Sequence, residues 1–489
     1  MSEVSYETAE SVRAQQQKLP LYAPRVKVFP KRVSGTIRRA KWAVLIVLLG
    51  IYYIAPWLRW DRGPGAPDQA FLIDMPHRRA YFLWIEIWPQ EVYYLAGLLL
   101  IGAFGLFLAT ALLGRVWCGF TCPQTVWTDL FMWVERLVEG DRGARMRLDS
   151  GPWTAEKIAK RTAKHALWIF ISLLTGGAWI MYFNDAPTLV QDIVHLEATP
   201  AVLFFIGLFT ATTYLLAGFA REQVCTYMCP WPRFQSAMFD EDSLIVTYEA
   251  WRGEPRGPVR KGASWEGRGD CVACNQCVAV CPTGIDIRDG SQLECIGCGL
   301  CIDACNGVMA KVGRPPNLIS YDSINRQNAR AAGKSVAYRF VRPRTLLYLA
   351  LLVFVGGAIV YGLWSRPVVE VNVLRDRSPL FVTLSDGSIR NGYTVKILNK
   401  PRAQQAYSLQ IEGLPGASMS VVGQGGDGAA AVSLLAAPDT VTSYHVYVRV
   451  PRDRLTGEET AFAFRLSQVP AGEDAAETTH KAAFRGPAR

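Results

Sequence analysis

The sequence predicts a membrane α-helical fold with five transmembrane helices, an inserted cysteine-rich domain and a C-terminal Ig-like β-sandwich. Three observations support this prediction. Five apolar runs are long enough to cross a bilayer. Eight cysteines form two regular runs between the fourth and fifth apolar runs, and residues 366–489 alternate short apolar stretches with turn residues.

The five apolar runs reach the lower limit of about 17 residues for a membrane-crossing helix. They are nearly free of charged residues and are flanked by aromatic side chains. One such run would fit a buried core helix, but five in one chain indicate membrane spans. The predicted spans are Trp42–Leu58, Tyr93–Leu113, Ala166–Phe183, Ala201–Ala220 and Thr345–Trp364.

The charge distribution predicts how the spans are oriented. The 489 residues include 52 Lys and Arg against 42 Asp and Glu, a net charge of +10. Loop 114–165 is rich in Lys and Arg, whereas loop 184–200 has neither. Because Lys and Arg are concentrated in cytoplasmic loops, we expect loop 114–165 to lie in the cytoplasm. Loop 59–92 carries four Arg and is the one that fits this orientation poorly. Because topology accounts for the basic excess, we expect no nucleic-acid partner.

Two consecutive cysteine runs predict the chemistry of the inserted domain. Each is C-x2-C-x2-C-x3-C, the spacing that binds a [4Fe–4S] cluster, with the fourth Cys of each run serving the other cluster. Zinc normally takes two C-x2-C pairs, so the third and fourth cysteines favour a bacterial-type 2[4Fe–4S] ferredoxin domain. The predicted ligand sets are Cys271, Cys274, Cys277 and Cys305 for one cluster, and Cys295, Cys298, Cys301 and Cys281 for the other.

The four remaining cysteines form two C-x3-C-P motifs, each at the cytoplasmic end of a span. Cys118 and Cys122 follow the second span, and Cys225 and Cys229 follow the fourth. The four thiols could bind one soft metal such as Cu(I), or each pair could cycle between dithiol and disulfide. Simple packing of buried thiols is the third alternative. Met228, inside the second motif, could serve as a soft thioether ligand, but by default it is a packing residue.

The composition changes after the fifth span. Short alternating runs separated by Gly, Asn and Asp predict an Ig-like β-sandwich of roughly seven strands without a Cys pair. The domain order that follows is a mobile basic cytoplasmic arm at 1–41, spans one to four with both C-x3-C-P motifs at 42–240, the cytoplasmic ferredoxin domain at 241–344, the fifth span at 345–364, and a periplasmic Ig-like domain at 365–489.

These motifs together resemble one known family. The segments Phe29-Pro-Lys-Arg-Val-Ser-Gly and Val116-Trp-Cys-Gly-Phe-Thr-Cys-Pro-Gln, the second C-x3-C-P-W and the double ferredoxin run are similar to the cytochrome c oxidase accessory proteins called CcoG, also FixG or RdxA. The C-x3-C-P pairs and ferredoxin run alone also resemble NapH- and NosR-type membrane subunits. The basic arm and the C-terminal β-domain favour the accessory proteins.

The resemblance implies a protein of the bacterial inner membrane that reduces Cu(II) to Cu(I) during assembly of the cbb3-type oxidase. It makes Cys118, Cys122, Cys225 and Cys229 the candidate catalytic or copper-contacting thiols. The implied partners are membrane lipid, a soluble electron donor, and a copper-exporting ATPase or copper chaperone. Two alternatives stay open, a quinol-linked electron conduit and a non-catalytic assembly scaffold. A homodimer is one of the oligomeric states that the sequence leaves open.

Overall fold

The chain forms two compact units, which are described separately. The computed structural model describes residues 9, 11, 27–63, 65–259, 264–424, 428–455, 457–470 and 476–487. The first unit contains the membrane helices and the ferredoxin segment, and the second is the C-terminal β-domain. Their bounds are Met1–Arg62 with Pro67–Ile359, and Gly63–Ala66 with Val360–Arg489.

Within the described residues, five helices are long and apolar enough to cross a membrane, which confirms the five predicted spans. They contain 21 to 26 residues each and cover Thr36–Trp57, Pro89–Leu113, Ala155–Ile180, Pro200–Ala220 and Pro343–Trp364. The first and third begin well before the predicted apolar runs. Hydropathy marks the part of a helix that lies in lipid, whereas these helices continue into polar turns that pack against other elements.

The α-helices of the first unit are numbered in chain order. They are α1 (Thr36–Ile54), α2 (Tyr93–Leu113), α3 (Pro123–Glu139), α4 (Arg142–Ser150), α5 (Ala155–Ile180), α6 (Ala186–Val194), α7 (Pro200–Thr213), α8 (Trp231–Met238), α9 (Ala250–Gly253), α10 (Gln276–Ala279), α11 (Leu300–Val312), α12 (Ile324–Ala331) and α13 (Pro343–Trp364).

Loop 59–92 contains an unpredicted three-stranded antiparallel sheet. Its strands are β1 (Phe71–Asp74), β2 (Arg79–Phe82) and β3 (Ile85–Ile87), in the order β1-β2-β3. The alternating residues of β1 and the Met75-Pro-His turn were the available sequence signal. The strands are too short for that signal to stand out beside the neighbouring spans.

Helix α3 lies between the membrane helices and carries buried carboxylates on its inner face. Asp129 accepts hydrogen bonds from Arg38 Nη1 at 2.9 and 2.7 Å, and Lys41 Nζ lies 3.4 Å from its Oδ2. Glu135 pairs with Arg145 at 2.9 Å and also with Arg221. Burial alone would raise the pKa of Glu135, but the Arg221 guanidinium, with Arg145 and Lys164, lowers it overall. These ion pairs fix α3 against α1, α4 and the turn after α7.

The segment expected to be a mobile arm is held in place over its described part, residues 27–35. Lys31 N–H donates to the Ala279 carbonyl at 2.8 Å, and Arg32 N–H donates to Asp141 Oδ1 at 2.9 Å. The mobility prediction is therefore wrong for these residues, because their backbone groups bond to the ferredoxin segment and the α3–α4 turn. Apart from residues 9 and 11, the arm before residue 27 lies outside the described residues.

The larger buried core of the ferredoxin segment lies around its first cysteine run. Strands β4 (Ile245–Tyr248) and β5 (Ile319–Asp322) pair antiparallel, and α10 and α11 each begin inside one of the two cysteine runs. Val272, Val278, Ile302 and Met309 are buried in this core together with Cys271 and Cys277. The apolar residues between the cysteines thus pack inward and hold the cysteine loops in place.

The C-terminal unit is the predicted Ig-like sandwich. Its two sheets have the orders β10-β12-β8-β6, with β7 beside β8, and β11-β9-β13-β14. Their inward residues form one core that includes Val395, Val446, Leu409 and Phe464. The strands are β6 (Val369–Arg375), β7 (Val382–Thr383), β8 (Ile389–Asn399), β9 (Gln405–Glu412), β10 (Ser418–Val421), β11 (Ala431–Ala436), β12 (Thr440–Val450), β13 (Glu459–Val469) and β14 (Glu477–Arg485).

Candidate functional site

The two cysteine loops of the ferredoxin segment have the same backbone shape. Ala273 and Asn275 in the first loop have φ of 52° and 55°, and Gly297 and Gly299 occupy the same places in the second with φ of 67°. This left-handed conformation costs glycine little and other residues more. Each loop then runs directly into a helix, α10 or α11. The sequence repeat is therefore also a structural repeat.

Each predicted set of four cysteines lines its own cavity. The fourth Cys of each run lines the cavity of the other run, as the spacing predicts, and Cys277 borders both cavities. The first cavity is lined by Cys271, Cys274, Cys277 and Cys305, and the second by Cys281, Cys295, Cys298 and Cys301.

The residues around these cavities fit [4Fe–4S] clusters. Within the described part of the chain, no three His, Cys, Asp or Glu side chains are grouped so as to hold a single metal ion. Thiols spread around an apolar cavity instead suit a cluster of several atoms. Burial raises the pKa of the Cys295 and Cys305 thiols to about 12. These thiols therefore need positive metal centres to become thiolates.

Different cations lie beside the two cavities. Arg288 lines the first cavity and donates to Asn275 Oδ1 at 2.8 Å. Arg115 lines a small neighbouring pocket together with Cys295. Burial raises the pKa of the Cys298 thiol, and the ammonium group of Lys41 opposes that rise. Charge near a cluster is one of the factors that set its reduction potential.

Both C-x3-C motifs form a single turn of π-helix, over Trp117–Thr121 and Val224–Met228. Cys122 N–H donates to the Trp117 carbonyl at 2.8 Å, and Cys229 N–H donates to the Val224 carbonyl at 2.7 Å. Pro123 then begins α3, and Pro230 precedes α8, which confirms that each proline marks a helix end. Single π turns occur frequently at functional sites.

The membrane-edge motifs contact the second cluster loop directly. Cys118 and Cys225 both pack against the buried group that contains Ile296 and Cys298. A Cβ added to Gly119 would lie only 2.8 Å from the Gly297 carbonyl oxygen and 3.0 Å from Cys298 Cα. One thiol from each pair therefore lies beside a predicted ligand of the second cluster.

The four membrane-edge thiols are close enough to influence one another. The pKa of Cys118 is raised to about 12, mainly by burial; Cys122, Cys225 and Cys229 contribute to the rise, and the Arg115 guanidinium opposes it. Burial likewise raises the pKa of Cys225 to about 12. Among the described residues, no three of these thiols are grouped tightly enough to hold one ion. Binding of an ion by more than two of them therefore requires the turns to move closer together.

Sequence reasoning missed two polar residues of this site. Cys118 Sγ donates to Gln235 Oε1 at 3.3 Å, and Gln235 Nε2 donates to Thr110 Oγ1 at 3.3 Å. Arg115 Nη1 donates to the carbonyl of Cys295 at 2.8 Å. Gln235 belongs to no motif, and the only sequence signal for Arg115 is its place three residues before Cys118.

Met228 differs from its predicted role. Its side chain is 62% exposed, so it does not pack in the interior. The neighbouring Tyr227 is 65% exposed. The π turn points both side chains away from the group that receives Cys225.

A five-helix membrane unit with two cysteine cavities and an Ig-like domain defines an iron–sulfur electron-transfer protein of the membrane. A family model for a 4Fe-4S dicluster domain matches residues 220–324, and one for a 4Fe-4S binding domain matches residues 95–140. A third, for the Ig-like fold at the C-terminus of FixG, matches residues 359–487.

The chain is similar over nearly its whole length to proteins of known family. It is 53% identical to the nitrogen fixation protein FixG of Rhizobium meliloti, over 95% of this chain and 94% of the relative. It is 48% identical to protein RdxA of Cereibacter sphaeroides, over 96% and 99% of the two chains. Protein RdxB of the same organism is 52% identical over 88% and 90%. The chain belongs to the FixG/RdxA family.

Proposed function

We propose that this protein reduces Cu(II) to Cu(I) at the membrane-edge thiols, for assembly of a cbb3-type cytochrome c oxidase. The observation that supports this most is the packing of Cys118 and Cys225 against Ile296 and Cys298. It puts one thiol of each pair next to the second cluster site. Membership of the FixG/RdxA family agrees with an electron-transfer role.

The side chains suit copper as the substrate. Thiolates are soft ligands that favour Cu(I) over harder metals, so their binding stabilises the reduced product. Each Cu(II) ion takes up one electron, and the thiols release their protons when they bind the metal. In this proposal Cys118, Cys122, Cys225 and Cys229 are the thiols that hold the ion, and more than two of them bind it at once only when the two turns move closer together. Gln235, which accepts the hydrogen bond of Cys118, orients that thiol.

The eight ferredoxin cysteines are the proposed cluster ligands. Cys271, Cys274, Cys277 and Cys305 would hold one cluster, and Cys295, Cys298, Cys301 and Cys281 the other. Bound [4Fe–4S] clusters accept and release one electron at a time. Apolar side chains line both cavities, among them Val308 and Met309 in the first and Ile285 and Ile296 in the second.

The proposed setting is the bacterial inner membrane, with the arm and the ferredoxin segment in the cytoplasm and the Ig-like domain in the periplasm. The support is the excess of Lys and Arg in loop 114–165 and their absence from loop 184–200. A soluble reductant would then supply electrons from the cytoplasm, and a copper-exporting ATPase or copper chaperone would receive Cu(I).

The test is anaerobic Cu(II) reduction by the full-length protein in detergent, with Cu(I) followed by a Cu(I)-specific chelator. We expect the variant with all four membrane-edge cysteines changed to Ser to lose this activity while it keeps both clusters, measured by iron content and EPR. A variant that loses Met75, a distant exposed thioether, serves as the matched control. Unchanged reduction in the quadruple variant would refute the thiols as the copper site.

A further inference from the structure

Arg115 joins the second cluster loop to both cysteine pairs. Its Nη1 donates to the carbonyls of Leu293 and Cys295, the latter at 2.8 Å, and its Nη2 donates to the Pro232 carbonyl at 2.9 Å. Arg115 itself lies three residues before Cys118, and Pro232 lies three residues after Cys229. One buried guanidinium beside the first motif therefore bonds to two segments that are distant from it in sequence.

The backbone around Arg115 is equally close to the second loop. The Arg115 carbonyl accepts from Gly119 N–H at 3.0 Å, within the first motif. A Cβ added to Gly297 would lie 3.0 Å from Arg115 Cβ. Gly297 thus serves two needs, the left-handed φ of the loop and the close approach of Arg115.

The equivalent arginine of the second motif has different partners. Arg221 Nε donates to the Gly218 carbonyl at 2.7 Å, and its Nη2 pairs with Glu135. It precedes Cys225 much as Arg115 precedes Cys118. The repeat therefore supplies a control, a buried arginine that lies four residues before Cys225, one more than separates Arg115 from Cys118, and that pairs with a carboxylate instead of the cluster loop.

We propose that Arg115 is a positioning residue that couples the second cluster site, and not the first, to the membrane-edge thiols. The positive charge of Arg115 lies beside Cys295 and Cys118. It therefore stabilises the reduced, more negative state of a cluster or metal ion bound by those thiolates. Arg288 has the corresponding place beside the first cavity. The copper part of this inference rests on the proposed function, whereas the assignment of Arg115 to one cluster does not.

The test is an EPR-monitored redox titration of the full-length protein in detergent, prepared anaerobically with both clusters. Because reduction adds negative charge, we expect R115Q to lower the midpoint potential of one cluster and leave the other unchanged. R288Q should lower the other midpoint, and R221Q should move neither. R115K, which keeps the charge but not the planar fork, should move the midpoint less than R115Q and remains informative if R115Q does not fold.

A second arm adds Cu(I) to the wild-type protein as its acetonitrile complex. We expect Cu(I) to shift the midpoint that R115Q shifts and not the other one. If R115Q and R115K move both midpoints or neither, the inference is overturned. If R115Q moves a single midpoint but Cu(I) moves none, the role of Arg115 stands and the proposed copper site fails.

Discussion

Asp303 caps the first membrane helix from the ferredoxin segment, and its replacement by Ala tests how firmly the two are joined. The residue lies on α11 between Cys301 and Cys305. Its carboxylate accepts from Arg38 N–H at 2.7 Å and from Ile37 N–H at 3.3 Å. The side chain is buried, and a Cβ added to Gly35 would lie 2.2 Å from its Cγ.

The expected cost follows from these contacts. Loss of a helix N-cap costs about 0.5–2 kcal/mol. Loss of a negative charge at a helix N-terminus adds about 0.3–1 kcal/mol. We therefore expect D303A to ease local opening of the first turn of α1 by about 2 kcal/mol, which corresponds to about 30-fold faster amide exchange.

Hydrogen–deuterium exchange followed by mass spectrometry on the detergent-solubilised protein measures this effect at residues 36–40. D303N keeps one acceptor oxygen and should show a smaller increase. S323A removes the cap of a different helix, α12, and should leave α1 unchanged. Unchanged exchange at Ile37 and Arg38 in D303A would refute the role of Asp303 as their cap.

Three further predictions concern the membrane edge. G119A should lower the free energy of unfolding by about 1–3 kcal/mol through overpacking against the second cluster loop. T226A, at the same place in the other motif, should change it by less than about 0.5 kcal/mol. A thermal-shift assay compares the two variants. E135Q should destabilise the protein by about 3–5 kcal/mol because it leaves buried cations such as Arg221 unpaired. The same assay should show little change for E156Q, because the ion pair of Glu156 is exposed. The pKa of Glu135 is lowered in the folded protein, so its ionised form contributes fully to the free energy of unfolding above its ordinary pKa of about 4.5, and this contribution is lost as pH falls below that value. The difference in stability between wild type and E135Q should therefore narrow on acidification. A constant difference would contradict this.

The parts of the fold with strong local signals were predictable. Apolar length alone identified the five spans, and the cysteine spacing anticipated which thiols share each cavity, including the exchange of Cys281 and Cys305. Alternating runs predicted a sandwich of roughly seven strands, whereas the structure has nine strands in its described residues, β6 to β14. The shortest of them, β7 with two residues and β10 with four, are too short for alternation to be recognised.

The contacts between distant segments were not predictable from one sequence. Nothing in the sequence near Asp303 marks it as a cap for a helix 265 residues away. The contact of Gly119 with the second loop likewise depends on how two segments pack. Lys41 was assigned to a mobile arm because charge suggests solvent, but its pairing with Asp129 lets it be buried.

The most direct test of the copper proposal is the number of Cu(I) ions bound per protein under anaerobic conditions, with sulfur ligation assessed by X-ray absorption. We expect the wild-type protein to bind Cu(I) through sulfur. Changing Cys118, Cys122, Cys225 and Cys229 to Ser should abolish this binding while iron content is unchanged. Equal Cu(I) binding by the two proteins, or binding without sulfur ligands, would contradict it.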